Sequence, residues 1–288
     1  MKIFVKLFVF VSLYLSLSVV HTTIACTIIT ASNGETVMFG GNEDQTPNSS
    51  FFVVDTTGTF GVVYFATPWK EMPLVMQMGI NEMGLSYDTN WIPKEKLIPH
   101  TEKKPQNEWV VTQLMREVST VEELLLKIFI YNWGNSISYQ VHFADKSGDA
   151  VVIHPGLDGE LTYSRKPKGN GYLVSTNFNL AKLDKGNWSC RRYETANKML
   201  SNIGAQNDLT VEFVASVLKA THRRYGRLKT LYSAVYDLQK LRIYLYYDRQ
   251  FDAPYVLDVK EELAKTTGTR KVTLTDLISN RDMNKEKN

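Results

Sequence analysis

Cys26 is one of only two cysteines in the 288 residues, and the segment before it decides what its thiol can do. Lys2 and Lys6 make a short basic start, Leu7 to Val20 is an almost unbroken apolar run, and the chain then reads Thr23-Ile24-Ala25. This is the layout of a secretory signal peptide, with small residues at the −3 and −1 positions. The apolar run falls short of the ~20 residues of a comfortable membrane span. Cleavage after Ala25 would leave Cys26 as the N-terminal residue. Its α-amine, with an ordinary pKa near ~7.7–8.0, would then sit on the same residue as the thiol. A tethered base and nucleophile avoid the entropic cost of being brought together. The amine can take the thiol proton and later hand it to a departing amine. Such a centre suits amide hydrolysis. It calls for a carboxylate to orient the amine and for amide donors to hold the oxyanion, a contribution of about 3–4 kcal/mol per donor.

Three other readings of Cys26 stand beside this one. A cut elsewhere in the leader would make it an ordinary residue. A lipoprotein cysteine would have its amine acylated, but that reading wants a Leu-like residue at −3, where Thr23 stands. A disulfide from Cys26 to Cys190 in an oxidising compartment would make the chain a non-catalytic exported protein.

A catalytic Cys26 needs a rigid edge, and the following sequence offers one. Short runs rich in Val, Ile, Phe and Tyr predict strands over Thr27–Thr30, Thr36–Gly40, Phe51–Asp55, Gly61–Ala66, Leu74–Met78 and Leu85–Thr89. Asn81-Glu82 reads as the turn between the last two. The period changes over Asn107–Ile130, where Val110, Val111, Leu114, Met115 and Val118 lie at helical spacing. Ser119-Thr120 followed by Glu122-Glu123 marks a second helix start. Strands resume at Ser138–Ala144, Ala150–His154, Leu161–Ser164 and Tyr172–Ser175. Helices are expected at Arg191–Ile203 and Val211–Ala220, then strands at Thr230–Asp237, Arg242–Tyr247 and Tyr255–Val259. Antiparallel strand blocks around helical pairs, without βαβ alternation, predict an α+β layered fold. The expected organisation is a leader at 1–25, one domain at 26–265, and a polar, basic tail at 266–288 that frays.

Composition excludes other classes. The chain is 43% apolar and 22% charged, as in ordinary globular proteins. Without the leader's two lysines the basic residues fall from 33 to 31 against 30 acids, which is no footprint for nucleic acid. The five histidines (His21, His100, His142, His154 and His222) show no HxxxH or HxH spacing, so no metal site and no cofactor are expected. His142 and His154 lie in strand-like runs and read as structural, and His222-Arg223-Arg224 reads as a solvated helix end. No GxSxG and no phosphate loop appear. The expected location is extracellular or periplasmic, or lysosomal in a eukaryote, where Asn48-Ser49-Ser50 and Asn187-Trp188-Ser189 are glycosylation sequons. Tyr64, Phe65, Trp69, Tyr87, Trp91 and Trp133 are the aromatics from which an apolar acyl pocket could be drawn.

Cys26-Thr27 opening a strand, followed by Phe39-Gly40-Gly41-Asn42-Glu43-Asp44, resembles the N-terminal-nucleophile hydrolases of the choloylglycine hydrolase and penicillin V acylase type. Those linear amide C–N hydrolases carry an initial Cys and then a Gly-x-Asn-x-Asp turn. Gly79-Ile80-Asn81-Glu82-Met83-Gly84-Leu85 resembles the family's Gly-x-Asn-Glu-x-Gly-Leu segment, and Asn90 follows within Tyr87-Asp88-Thr89-Asn90-Trp91. Ser175-Thr176-Asn177-Phe178 is similar to its Thr-Asn segment, and Cys190-Arg191-Arg192-Tyr193 to its Ser-Arg-aromatic helix start.

The resemblance implies a four-layer αββα sandwich and hydrolysis of a small, non-peptide N-acyl amide through a thioester. The acyl part would be apolar (fatty acyl, aryl-acyl or bile acid), and acyl transfer to an amine in place of water is the alternative. It implies that Cys26 is nucleophile and, through its amine, base; that Asp44 holds that amine; that Asn177 and Asn90 form the oxyanion hole; and that Arg192 stabilises the cluster. Read alone, Asp44 could cap a turn, Asn177 could be a loop hydrogen bonder and Arg192 a solvated helix residue. A homo-oligomer is left open. One departure stands out: the bile-salt and penicillin members have Gly-Arg where this chain has Gly40-Gly41. That removes a cation beside the nucleophile, with Asn42 as the candidate to fill part of its role, and it leaves the substrate open.

Overall fold

A computed structural model describes residues 26–46, 49–69, 72–185, 190–201, 203, 209–224 and 228–285. The leader and the sequon residues Asn48 and Asn187 lie outside the described residues. The strands are β1 (Thr27–Ser32), β2 (Val37–Gln45), β3 (Phe51–Asp55), β4 (Val62–Trp69), β5 (Met72–Asn81), β6 (Ser86–Lys96), β7 (Ser136–Ala144), β8 (Ala150–Pro155), β9 (Leu161–Lys166), β10 (Gly171–Ser175), β11 (Lys229–Asp237), β12 (Arg242–Tyr247), β13 (Tyr255–Asp258) and β14 (Thr269–Thr273). They form two antiparallel sheets, one of six strands in the order β10-β1-β2-β11-β12-β13 and one of eight in the order β14-β3-β4-β5-β6-β7-β8-β9.

Side-chain alternation sorts each strand between two cores. In the six-stranded sheet, Ile28, Phe39, Tyr232 and Ala234 face inward; from the eight-stranded sheet, Phe52, Phe65, Met78 and Ile80 meet them. The neighbours one residue along face outward. Val53, Tyr64, Tyr87 and Phe143 pack under helices α1 (Val110–Met115) and α2 (Val121–Ile128). Ile29, Met38 and Val235 pack under α3 (Arg191–Leu200) and α4 (Val211–Thr221). Two sheets face to face with a helix pair outside each make the αββα sandwich. Each buried aromatic or aliphatic side chain contributes roughly 1.5–3 kcal/mol to holding the layers.

Local chemistry sets the element ends. Thr120 caps α2 by accepting the Glu123 N–H, and Thr210 caps α4 by accepting that of Phe213. Asn81 makes the expected turn between β5 and β6: its Oδ1 accepts from the Met83 and Leu85 amides, and its Nδ2 donates to the Met115 and Val118 carbonyls. Gly84 completes that turn at φ +87°, a conformation open to glycine.

The expectation of a frayed tail from residue 266 is corrected. β14 pairs with β3 at the edge of the eight-stranded sheet, between helices α5 (Val259–Ala264) and α6 (Leu274–Lys285). Leu274 and Leu277 are buried against the inner core, and Arg270 pairs with the buried Glu262 at 2.5 Å. An edge strand and a one-sided helix need few apolar residues, so their composition imitates a tail. No helix among the described residues is long and apolar enough to cross a membrane.

Candidate active site

Cys26 stands directly before β1. The β1–β2 register pairs Thr27 with Asn42, so its continuation sets Cys26 across from Glu43. Cys26 is 4% exposed and opens onto a cavity of about 480 Å3. Leu74, Val75, Met76, Trp91, Trp109 and Tyr139 supply apolar walls, with Gln45, Gln77, Thr89 and Thr112 as the polar part. Of the aromatics singled out from sequence, Trp91 lines the cavity and Trp133 stands behind Tyr139, ring centroids 6.5 Å apart. Tyr64, Phe65 and Tyr87 are core, and the side chain of Trp69 lies outside the described residues. Trp109 Nε1 donates to the Tyr139 hydroxyl at 3.0 Å and fixes that wall.

Burial pushes the Cys26 thiol well up from its ordinary range, and the charges of Glu43, Asp44 and Asp88 push the same way; a hydrogen bond from the Asp44 backbone opposes them. Asp44, on β2, accepts a hydrogen bond at Oδ1 from the Thr230 hydroxyl of β11. Its Oδ2 is buried, has no hydrogen-bond partner, and lies 3.9 Å from the Arg192 guanidinium. Burial raises the Asp44 pKa to about 7 against the opposing pull of Thr230, Arg192 and Arg223.

Arg192, in the first turn of α3, ties the pieces together. Its NH1 donates to the Cys26 carbonyl at 2.7 Å and to the Thr27 hydroxyl at 3.2 Å, and its NH2 donates to Asn177 Oδ1 at 3.1 Å. A solvated helix residue would make none of these contacts. Asn177 follows β10, and its Nδ2 donates to the Trp91 carbonyl at 2.9 Å. Gln140 of β7 holds the same loop by donating to the Thr176 and Phe178 carbonyls at 2.8 and 3.0 Å. Asn90 alternates with the outward Tyr87 and Thr89, so it faces the space between the sheets. It is fully buried, and neither its Nδ2 nor its Oδ1 has a partner.

Two expectations are corrected. Asn42 does not stand in for the missing arginine: its Nδ2 donates to the Leu218 carbonyl and the Thr221 hydroxyl of α4, on the far side of the sheet, and its Oδ1 accepts from Ser233. The Cys26–Cys190 disulfide is absent, both thiols being free; Cys190 Sγ lies 3.4 Å from the Thr176 hydroxyl at the start of α3.

The sequence reading missed Glu43 and Asp88, both fully buried beside Cys26. A Cβ on Gly41 would come within 2.1 Å of Asp88 Oδ2, so the Asp88 carboxyl occupies the room a side chain at 41 would need. The signal available was an Asp inside an apolar strand and an acid preceding Asp44. Among the described residues no cluster of His, Cys, Asp and Glu could hold a metal. His142 bridges Thr30 and Ser175 at 2.9 and 3.0 Å, and burial lowers its pKa to about 3, so it is a neutral structural residue.

No curated protein matches the sequence at a significant level. Among solved structures the fold is similar to a mutant of conjugated bile acid hydrolase from Clostridium perfringens, at TM-score 0.65 and 14% identity over 86% of this chain and 96% of that one. It is also similar to penicillin V acylase from Agrobacterium tumefaciens, at TM-score 0.62 and 17% identity over 85% of this chain and 90% of that one. The sequence profile of the acyl-coenzyme A:6-aminopenicillanic acid acyl-transferase family matches residues 30–252. With that profile spanning most of its length, the chain belongs to this family, and it shares its fold with the bile acid hydrolase and the penicillin V acylase.

Proposed function

We propose that the protein is an exported amidohydrolase whose nucleophile, Cys26, is freed by removal of residues 1–25. It cleaves a linear N-acyl amide with an apolar acyl group. The observation that carries this reading is Cys26 in the lining of a largely apolar cavity, its carbonyl held by Arg192 and the unpartnered Asp44 Oδ2 close by. In the chain with its leader the Cys26 nitrogen is a peptide amide and cannot act as a base. Once freed it becomes an amine, which Asp44 orients.

The thiol proton passes to the α-amine, and the thiolate attacks the amide carbonyl. The Asn90 amide, free of other partners, and the second Asn177 N–H stabilise the oxyanion. The α-ammonium protonates the departing amine as the C–N bond breaks, leaving a thioester on Cys26. Water, deprotonated by the same amine, then attacks, and the carboxylic acid leaves as the thiol is restored.

The family profile's name supports a second reading, in which an amine replaces water in the last step. A panel of N-acyl amides, read with and without added amine acceptor, separates the two: free acid marks hydrolysis and a new amide marks transfer. The shared mechanism predicts that Cys26→Ala loses activity by ~10^3-fold or more while staying folded. Equal turnover by that variant would sink both readings. N-terminal sequencing and intact mass of the exported protein check that Cys26 is first and unblocked.

A further inference from the structure

Glu43 of β2 and Asp88 of β6 face each other across the layer between the sheets, immediately behind Cys26. One oxygen of each is accounted for. Glu43 Oε2 accepts from Gln45 Nε2 at 3.2 Å, and Asp88 Oδ1 accepts from the Thr89 amide at 2.6 Å. The other oxygens, Glu43 Oε1 and Asp88 Oδ2, are buried and meet no donor, although the two carboxyl groups are in hydrogen-bonding contact with each other. Two ionised carboxylates offer four acceptors and no donor, whereas one proton between them satisfies both oxygens. The glycine at position 41 is what gives the Asp88 carboxyl its place.

We propose that Glu43 and Asp88 share a single proton behind Cys26 and act as a positioning pair for the nucleophile: with the proton in place one negative charge faces the thiol, and without it two charges oppose the thiolate. The inference rests on the reading of Cys26 as the nucleophile. It gives the site lacking the family's arginine a different means of setting its charge.

The surroundings favour one shared proton. From β11 Tyr232 and Tyr236 face the pair, and burial holds both phenols well above their ordinary range, so they stay neutral; Tyr87, on the outer face of β6, is raised in the same way. The Tyr232 and Tyr236 hydroxyls have no partner of their own. From the start of β1 comes Cys26, and from β2 comes Asp44, on which the cations Arg192 and Arg223 act. Burial raises both acids: Glu43 to about 7, and Asp88 well above its ordinary range, with the Glu43 charge adding to the rise. Two like charges in contact cannot both form cheaply out of water. The pair therefore loses its first proton near neutrality, when Glu43 ionises, and keeps the second, shared one above it. Ionisation of the thiol becomes harder as each proton leaves.

The test is iodoacetamide alkylation of Cys26 in the exported protein between pH 5 and 9, read on the Cys26 peptide so that Cys190 is scored separately. Glu43→Gln and Asp88→Asn each remove a charge. Both variants are expected to alkylate roughly three- to tenfold faster than wild type at pH 7.5, with the profile displaced by about 0.5–1 unit to lower pH. Profiles superimposable on wild type would overturn the proposal. Should a variant fail to fold, the infrared spectrum of the wild-type protein decides. A protonated-carboxyl stretching band that persists at pH 8, above the Asp44 transition, is expected, and its absence there overturns the shared proton. Neither measurement depends on turnover. If Cys26→Ala keeps its activity, the hydrolase reading falls while the proton-sharing result stands on its own.

Discussion

The space between the two sheets has two ends made by the same strands, and they are built on opposite principles. At one end Phe39 of β2 meets Tyr236, and Phe65 of β4 meets Phe52 and Tyr232, with ring centroids 5.4–5.9 Å apart. At the other end, two alternations further along the same face of β2, Glu43 replaces the apolar residue, beside Asp88, Asn90 and Cys26. Tyr232 joins the two, its ring in the aromatic cluster and its hydroxyl unpartnered toward the acids. The apolar end gains free energy from burial. The polar end loses it, because buried acceptors without donors each cost about 1–3 kcal/mol. One end therefore holds the sheets so that the other can keep a poorly satisfied polar site in place.

The sharpest way to break that comparison is to empty the apolar end. Phe65→Ala should cost about 3–5 kcal/mol of stability through lost burial and the cavity left behind. Urea unfolding measures it, and the folded fraction should keep its kcat per active molecule. A fall in kcat as large as the fall in stability would show that the ends are not separable. At the polar end the expectation reverses. Arg192→Lys keeps a positive charge but cannot hold the Cys26 carbonyl and Asn177 in one planar fork. Activity should fall roughly 10–100-fold with little change in the urea midpoint. Unchanged kcat would mean that Arg192 serves only to fasten α3.

How much of this was legible in sequence differs between the ends in the same way. Alternation marked nearly every strand, and the bounds of β3 and β12 are those expected from it, because a half-buried strand leaves a period-two trace. The Thr120 cap was equally plain. α5, β14 and α6 left no such trace: the two helices bury a few residues each, β14 buries none fully, and Arg270 of β14 lays its guanidinium over the Phe52 ring. In the site, Cys26, Asp44, Asn177 and Arg192 were named from motif order, and the fold brings them together around the Cys26 carbonyl. Glu43 and Asp88 were not named, since an acid in a sequence carries no mark of burial. Asn42 looked right and points to α4 because one step along a strand reverses the face.

The smallest effect tests how finely the polar end is set. The Thr230 hydroxyl donates to Asp44 and also accepts the Arg223 N–H at 2.8 Å. Thr230→Val removes both, at about 1 kcal/mol for each neutral hydrogen bond. The two losses have different pH signatures. The Arg223 part is constant with pH. The Asp44 part acts on the carboxylate, so it grows as Asp44 ionises. The sign follows from the raised pKa. Asp44 binds its proton more tightly folded than unfolded, so its contribution to stability is present in full below the ordinary value of 3.8. That contribution is lost as the pH climbs through about 7. Without Thr230 the folded pKa rises further, the window widens upward, and the variant's deficit should be larger at pH 8 than at pH 5. Urea midpoints at the two values check this. In turnover, the acid limb of kcat/KM should move to higher pH by about half a unit to one unit. A deficit equal at both pH values, with an unmoved acid limb, would mean that Asp44 is ionised throughout and that, in the proposed processed form, the freed α-amine rather than Thr230 governs its charge.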